Sequence, residues 1–157
     1  MIADIRRFSN LRGRRVLIIE DEHLIAWDLA EVLTEKGAQV IGPKTSVDAA
    51  LKALASGHPP DVALLDVSLD NHESAFAVAE ELQARRIPFI FYTGYRFTDV
   101  DSRFNDVTHC EKPMDAAMLT TALEEAMQST RQLRYAQVLA VASATAGVPR
   151  RNDYPSY

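Results

Sequence analysis

The ten residues from Asp61 to Asp70, DVALLDVSLD, constrain this chain more than any other stretch. Val62, Ala63, Leu64 and Leu65 are apolar in unbroken succession, and the carboxylate of Asp66 follows them. A short apolar run without alternation fits a strand of a parallel sheet that is covered on both faces. Asp66 then stands at the carboxyl end of a central strand, where the diverging loops of an open α/β sheet leave a binding crevice. Alone, a strand-end Asp is better explained as a cap for the next turn or helix. What decides between the two is whether other segments bring complementary groups to the same edge.

The chain in order supplies the rest of such a sheet. Val16 to Ile19 is a second apolar run and ends in Glu20, Asp21 and Glu22. From Glu22 to Lys36 the positions Ile25, Leu29, Val32 and Leu33 recur at helical spacing, with Gly37 as a stop. Gln39 to Ile41 reads as a short strand ending at Gly42 and Pro43, and Ser46 caps a helix whose apolar face is Val47, Ala50, Leu51 and Leu54. After Asp66 a polar loop leads to a helix over Ser74 to Arg85, and PFIFY, Pro88 to Tyr92, forms a strand that delivers Thr93 and Gly94 to its end. Arg96 to Val107 is polar and specifies a helix only weakly. Val107 to Cys110 is a brief last strand before Glu111, Lys112 and Pro113, and Asp115 caps a final helix bearing Leu119, Ala122, Leu123, Ala126 and Met127. Five strands alternating with helices predict an α/β fold, a flavodoxin-like doubly wound five-stranded parallel sheet of order 2-1-3-4-5. That order sets strands one and three side by side, so Glu20, Asp21 and Asp66 meet.

Composition narrows the function classes. The chain has 157 residues, enough for one domain with a core, of which 47% are apolar and 25% charged. Lys plus Arg is 17 against 22 Asp plus Glu, a net charge of −5, which argues against a nucleic-acid surface. A single cysteine, Cys110, excludes an internal disulfide. The opening residues lack the apolar core of a signal peptide, and no run approaches the roughly 18 apolar residues of a membrane span, so a cytoplasmic protein is expected.

Three carboxylates in close quarters repel one another, and a fold keeps them mainly where a cation compensates. Oxygen ligands with a partly open shell suit Mg2+, which shares itself with phosphate. A carboxylate beside it can attack phosphorus to give an aspartyl phosphate, with a lysine neutralising the transferred oxygens. Thr93 offers a hydroxyl and Lys112 an ammonium from later strand ends of the same sheet. Singly, each has a plainer role: Glu20 and Asp21 as acids favouring a helix dipole, Thr93 as a turn residue, Lys112 as a solvated charge. Together they require four coincidences at one edge.

In this order the residues resemble a response-regulator receiver domain over about residues 14 to 127, with 1–13 as an arginine-rich leader and 128–157 as a C-terminal helical extension and tail. The matching residues are Glu20 and Asp21, Asp66 ending DVALLD, Thr93 with Gly94, and Lys112 before Pro113. The resemblance implies that Asp66 takes a phosphoryl group from a histidine kinase or histidine phosphotransfer protein. It implies that Asp21, Asp66 and the Ser68 carbonyl bind Mg2+ directly, with Glu20 acting through water. Lys112 would contact the phosphoryl group, and the Lys112-Pro113 bond would be cis. Thr93, Gly94, Tyr95, His109 and Pro113 would form the switch, with Thr93 to Val107 as the moving segment. FYTGY, Phe91 to Tyr95, further resembles the Phe-Ala-Thr-Gly-Tyr-like signature of a group of single-domain receivers. One departure stands at His109, three residues before the lysine, where such receivers carry Tyr or Phe; Tyr95 or Tyr92 is the substitute at hand.

The residues past Met127 are too few for a DNA-binding output module, so the expected output is a protein partner, or relay or drainage of the phosphate. Residues 131 to 146 either extend the last helix, with an apolar surface that could pair with a second copy to make a homodimer, or fray. Two other readings compete. A haloacid-dehalogenase-like phosphohydrolase also forms an aspartyl phosphate, but needs a second Asp two residues on, where this chain has Ser68. A scaffold that never uses its acids is the third.

Overall fold

In the computed structural model, which describes residues 11–69, 73–94 and 100–145, the chain runs β1 (Arg15–Ile19), α1 (His23–Glu35), β2 (Gln39–Lys44), α2 (Val47–Ala55) and β3 (Val62–Leu65). It continues through a ribbon of β4 (Ser68–Leu69) and β5 (Glu73–Ser74), then α3 (Phe76–Ala84), β6 (Phe89–Thr93), a 3-10 turn (Ser102–Phe104), β7 (His109–Glu111) and α4 (Ala116–Thr145). The main sheet is ordered β2-β1-β3-β6-β7, and each neighbouring pair is parallel. With the ribbon set aside, this is the 2-1-3-4-5 order expected from the alternation of elements.

Strand periodicity explains the two covered faces. Ala63 and Leu65 of β3 point with Leu17, Ile19, Phe89 and Phe91 toward α2 and α3, where Leu54, Val78 and Leu82 wait. Val62 and Leu64 point with Val16, Ile18, Ile90 and Tyr92 toward Leu29 and Leu33 of α1 and Leu119 and Leu123 of α4. All four β3 residues are fully buried, and each Leu stabilises the fold by about 1.5–3 kcal/mol relative to exposure. The caps fall where the sequence put them: Ser46 Oγ accepts from the Ala49 N–H at 3.2 Å, and Asp115 Oδ1 from Ala117 at 2.8 Å.

Two local expectations are corrected, and two points that the sequence left open are decided. β2 does not stop at Gly42 but runs to Lys44, through a cis Gly42-Pro43 bond and a slip in register against β1. An edge strand tolerates the missing proline N–H because that side has no partner strand. The loop after Asp66 contains the antiparallel ribbon, anchored by Leu69 and Ala75 in the core, and the following helix begins at Phe76 instead of Ser74. Between Val100 and Val107 the backbone holds a single 3-10 turn in place of a fourth flanking helix. The final helix continues without a break to Thr145, 30 residues or about 45 Å.

Gly42 is conformationally required. Its φ is +95°, and an added Cβ would lie 2.7 Å from the Lys44 nitrogen and 3.0 Å from the Ile18 carbonyl oxygen. Gly42→Ala is expected to destabilise the protein by about 1–3 kcal/mol. A urea melt should show a lower midpoint at unchanged slope.

Candidate functional site

Backbone pairing carries two acids past the ends of their strands and fixes them side by side. β1 and β3 pair as far as Ile19 and Leu65, the Asp66 N–H donates to the Ile19 carbonyl at 2.9 Å, and the Glu20 N–H donates to the Lys44 carbonyl at 3.0 Å. Glu20 is fully buried and Asp66 is 5% exposed. Asp21 follows on the same edge, half-buried, and one oxygen from each of Glu20, Asp21 and Asp66 lies within 4.8 Å of the others.

Lys112 arrives from the end of β7, where its N–H donates to the Thr93 carbonyl at 3.0 Å. Its Nζ sits 2.5 Å from Glu20 Oε2 and 2.7 Å from Asp66 Oδ2. The remaining oxygens are held alike by backbone: Glu20 Oε1 accepts from the Glu22 N–H and Asp66 Oδ1 from the Ser68 N–H, both at 3.1 Å. Glu20 Oε2 is fully buried and has the Lys112 ammonium as its partner at 2.5 Å. Burial pushes the Glu20 carboxyl above its usual range, and the Lys112 ammonium and the Glu22 N–H pull it only partly back. Burial pulls the Lys112 ammonium down, but its bonds to Asp66 and Glu20 outweigh that and leave it raised.

Three carboxylates face one ammonium. An all-oxygen set with a formal excess of two negative charges fits a hard divalent cation held among Glu20, Asp21 and Asp66. The same edge presents a nucleophilic carboxylate with the Lys112 ammonium beside it, which suits acceptance of a phosphoryl group.

The other sequence-predicted residues are placed as follows. Thr93 is fully buried at the last position of β6, with Gly94 next. Register sets Leu65 opposite Phe91, so Thr93 stands one step beyond Asp66 at the same edge. Pro113 follows a cis bond. The His109 ring is half-buried, 6.3 Å from the Phe91 ring and tilted by 52°. Tyr95 lies outside the described residues, as do much of the leader, part of the segment from Arg96 and the end of the tail.

Two placements were missed from sequence, that of Tyr92, which was offered there only as a substitute for the switch aromatic, and that of Phe104. Tyr92 is buried with its ring 5.7 Å from Lys112 Nζ, and its hydroxyl oxygen accepts from the Met114 N–H at 3.4 Å. It props the lysine and is itself fixed in place; the period-two pairing of Ile90 with Tyr92 was the available signal. Phe104, in a segment read as polar, is 1% exposed and packs on Phe76, Phe89 and Phe91 at centroid distances of 5.5, 6.4 and 5.8 Å. A lone aromatic among polar residues was its only mark.

Comparison with known proteins agrees with this geometry. Residues 16–124 match the response regulator receiver domain. The chain is 33% identical over 123 residues to the transcriptional regulatory protein PdtaR of Mycobacterium tuberculosis, covering 76% of this chain and 60% of that protein. It is 32% identical over 123 residues to the phyllosphere-induced regulator PhyR of Methylorubrum extorquens, covering 74% and 46%. It thus spans less than two thirds of the length of these relatives. Among solved structures, SdrG from Sphingomonas melonis is 39% identical with a TM-score of 0.66, covering 74% of this chain and 97% of that one. The anti-anti-sigma factor PhyR from Bartonella quintana is 26% identical with a TM-score of 0.69, covering 83% and 54%. The chain therefore belongs to the response regulator receiver domain family, a two-component signalling module and not a dedicated turnover enzyme.

Proposed function

We propose that this protein accepts a phosphoryl group on Asp66 from a histidine kinase or histidine phosphotransfer protein and signals through the loops that follow β6 and β7. The observation that carries this reading is the convergence of Asp66 with Glu20, Asp21 and Lys112 at one buried edge. An Asp66 carboxylate oxygen attacks phosphorus, the P–N bond of the donor's phosphohistidine breaks, and its electron pair returns to the imidazole. When bound, Mg2+ would be held by Asp21, Asp66 and the Ser68 carbonyl, with Glu20 through water, and would supply positive charge to the transferred oxygens. Lys112 pairs with one of those oxygens in exchange for its present contact with Asp66, and the Thr93 hydroxyl donates to another. The phosphate adds about −1.5 to −2 charges, which bias the segment from Thr93 to Val107 toward the arrangement that satisfies them.

Leu24 and Trp27 are 82% and 72% exposed on α1, just past the acids, and suit docking of the phosphodonor protein. The receiver unit spans residues 14–127. The helical residues beyond it expose Leu133, Tyr135, Val138 and Leu139, a surface for a downstream protein or a second copy. A relative named as an anti-anti-sigma factor makes a protein output a fitting precedent. The net charge of −5 favours a protein over nucleic acid. Among the described residues no helix is long and apolar enough to cross a membrane, which accords with action in the cytoplasm beside such a kinase.

Incubation with labelled acetyl phosphate, and separately with phosphorylated histidine kinases, tests this. With Mg2+ the protein should gain a hydroxylamine-labile label, and EDTA should abolish it. No label from either donor would refute the reading.

A further inference from the structure

The opposite edge of the sheet, where β1, β3 and β6 begin, holds a second concave site of about 560 Å³. Arg14, Arg85, Arg86, Arg131 and Arg134 line it, and Asp61 is the one carboxylate there. That is five guanidinium groups in one cleft of a chain whose net charge is −5. They arrive from the start of β1, the end of α3 and the second half of α4, so no single run of sequence assembles them. We propose that this cleft binds a nucleoside di- or triphosphate, independently of Asp66.

The arginines are oriented more than they are neutralised. Arg134 Nη2 donates to the Arg86 carbonyl at 2.6 Å and Arg86 Nη1 to Gln137 Oε1 at 3.2 Å, both uncharged acceptors. Arg14 is 4.0 Å from Asp61, whose other oxygen already accepts from the Arg15 N–H at 2.8 Å. Arg85 is engaged twice, Nε donating to Glu81 at 2.6 Å and Nη1 to the Leu54 carbonyl at 2.8 Å, which leaves Nη2. Among the described residues no carboxylate pairs with Arg86, Arg131 or Arg134. Guanidinium forks match phosphate oxygens two by two, so such a cluster is a complement to a compact polyanion.

Backbone geometry at Arg86 points the same way. α1 and α3 end alike: the Gly37 and Arg86 N–H groups bond back three residues, and those of Ala38 and Ile87 bond back five. This ending places the residue after the cap in the left-handed region, where glycine is preferred. Gly37 sits at +84°, whereas Arg86 sits at +57° and is the only non-glycine residue with positive φ among those described. A side chain kept where glycine would be less strained indicates that the side chain is used.

Size and floor narrow the ligand. The volume falls within the usual range for small-molecule sites. Pro59, Pro60, Ile87, Pro88 and Met127 give the cleft an apolar wall between its charges, suited to a base and ribose. An extended acidic peptide would need a groove and would leave that wall unused.

Titration calorimetry on the full chain in EDTA, so that the acidic edge cannot hold a nucleotide through a metal, tests the assignment. ATP should bind at least about tenfold more tightly than pyrophosphate, and adenosine should not bind. Arg131→Ala removes a side chain that makes no hydrogen bond or ion pair among the described residues, and should weaken ATP binding about tenfold at unchanged melting temperature. Arg86→Gly should weaken it similarly while raising the melting temperature by about 2–4 °C, a combination that a merely structural arginine does not give. Asp66→Asn should bind ATP as the wild type does. Failure of ATP to bind, equal affinity for pyrophosphate, or full affinity in both arginine variants would overturn the proposal. So would oligoglutamate binding where ATP does not, which would assign the cleft to an acidic protein.

Discussion

Asp66→Asn should incorporate no phosphoryl group from acetyl phosphate or from any phosphorylated kinase, while keeping its fold. The side chain is 5% exposed, and its carboxylate lies within 4.8 Å of those of Glu20 and Asp21 and 2.7 Å from Lys112 Nζ. Asparagine preserves an oxygen for the Ser68 N–H, which Asp66 Oδ1 now accepts at 3.1 Å. Lys112 retains Glu20 as its partner at 2.5 Å. Loss of one ion pair is offset by relief of repulsion among three carboxylates, so stability should stay within about 1 kcal/mol of the wild type. Intact-mass measurement reads the phosphate and a urea melt reads the fold. Label persisting in this variant would place the acceptor elsewhere and refute the role given to Asp66.

Lys112→Ala should have the largest effect on stability in the absence of a divalent cation. The lysine side chain is 13% exposed and its ammonium holds two carboxylates that are nearly or fully buried. Removing one partner from such a cluster leaves uncompensated buried charge and costs about 3–5 kcal/mol. Glu20 limits the cost by taking a proton. Burial already raises it above its ordinary 4.5, and losing the Lys112 bond, which lowers it, raises it further. A group whose pKa rises on folding contributes fully below its unfolded pKa and loses that contribution as pH climbs through the folded value. The deficit of Lys112→Ala should therefore be small near pH 4 and grow toward neutrality. Mg2+ should stabilise this variant more than the wild type, since the metal replaces the missing charge. Phosphoryl acceptance should fall about 10²-fold or more even with Mg2+ present, because no cation then faces the transferred oxygens on that side. Equal stability of the two proteins in EDTA at pH 7 would show that the ammonium does not hold the acids.

The two cores and the position of the acids were legible because they follow from short-range pattern. Unbroken apolar runs at Val16 to Ile19 and Val62 to Leu65 can be buried only on both sides, and helices between them force parallel strands. The last residue of each run then falls at one edge. Where local pattern was weak, tertiary contacts decided instead. β2 continues past Gly42 because the Lys44 carbonyl is taken up by the Glu20 N–H. The ribbon after Asp66 is drawn in by Leu69, which the surrounding polar residues disguised. Residues past Met127 have only moderate helix propensity, yet they continue α4, and Arg134 ties that extension to Arg86.

By itself the sequence determined the type of sheet, its strand order and the set of groups at its carboxyl edge, because strand and helix periods and strand-end residues are local properties. Only the folded structure brought Lys112 to Asp66 across 46 positions, placed Tyr92 beneath the lysine and Phe104 against the core phenylalanines, and gathered five arginines at the far edge. Those are meetings between distant segments, and their geometry depends on how helices pack across a finished sheet.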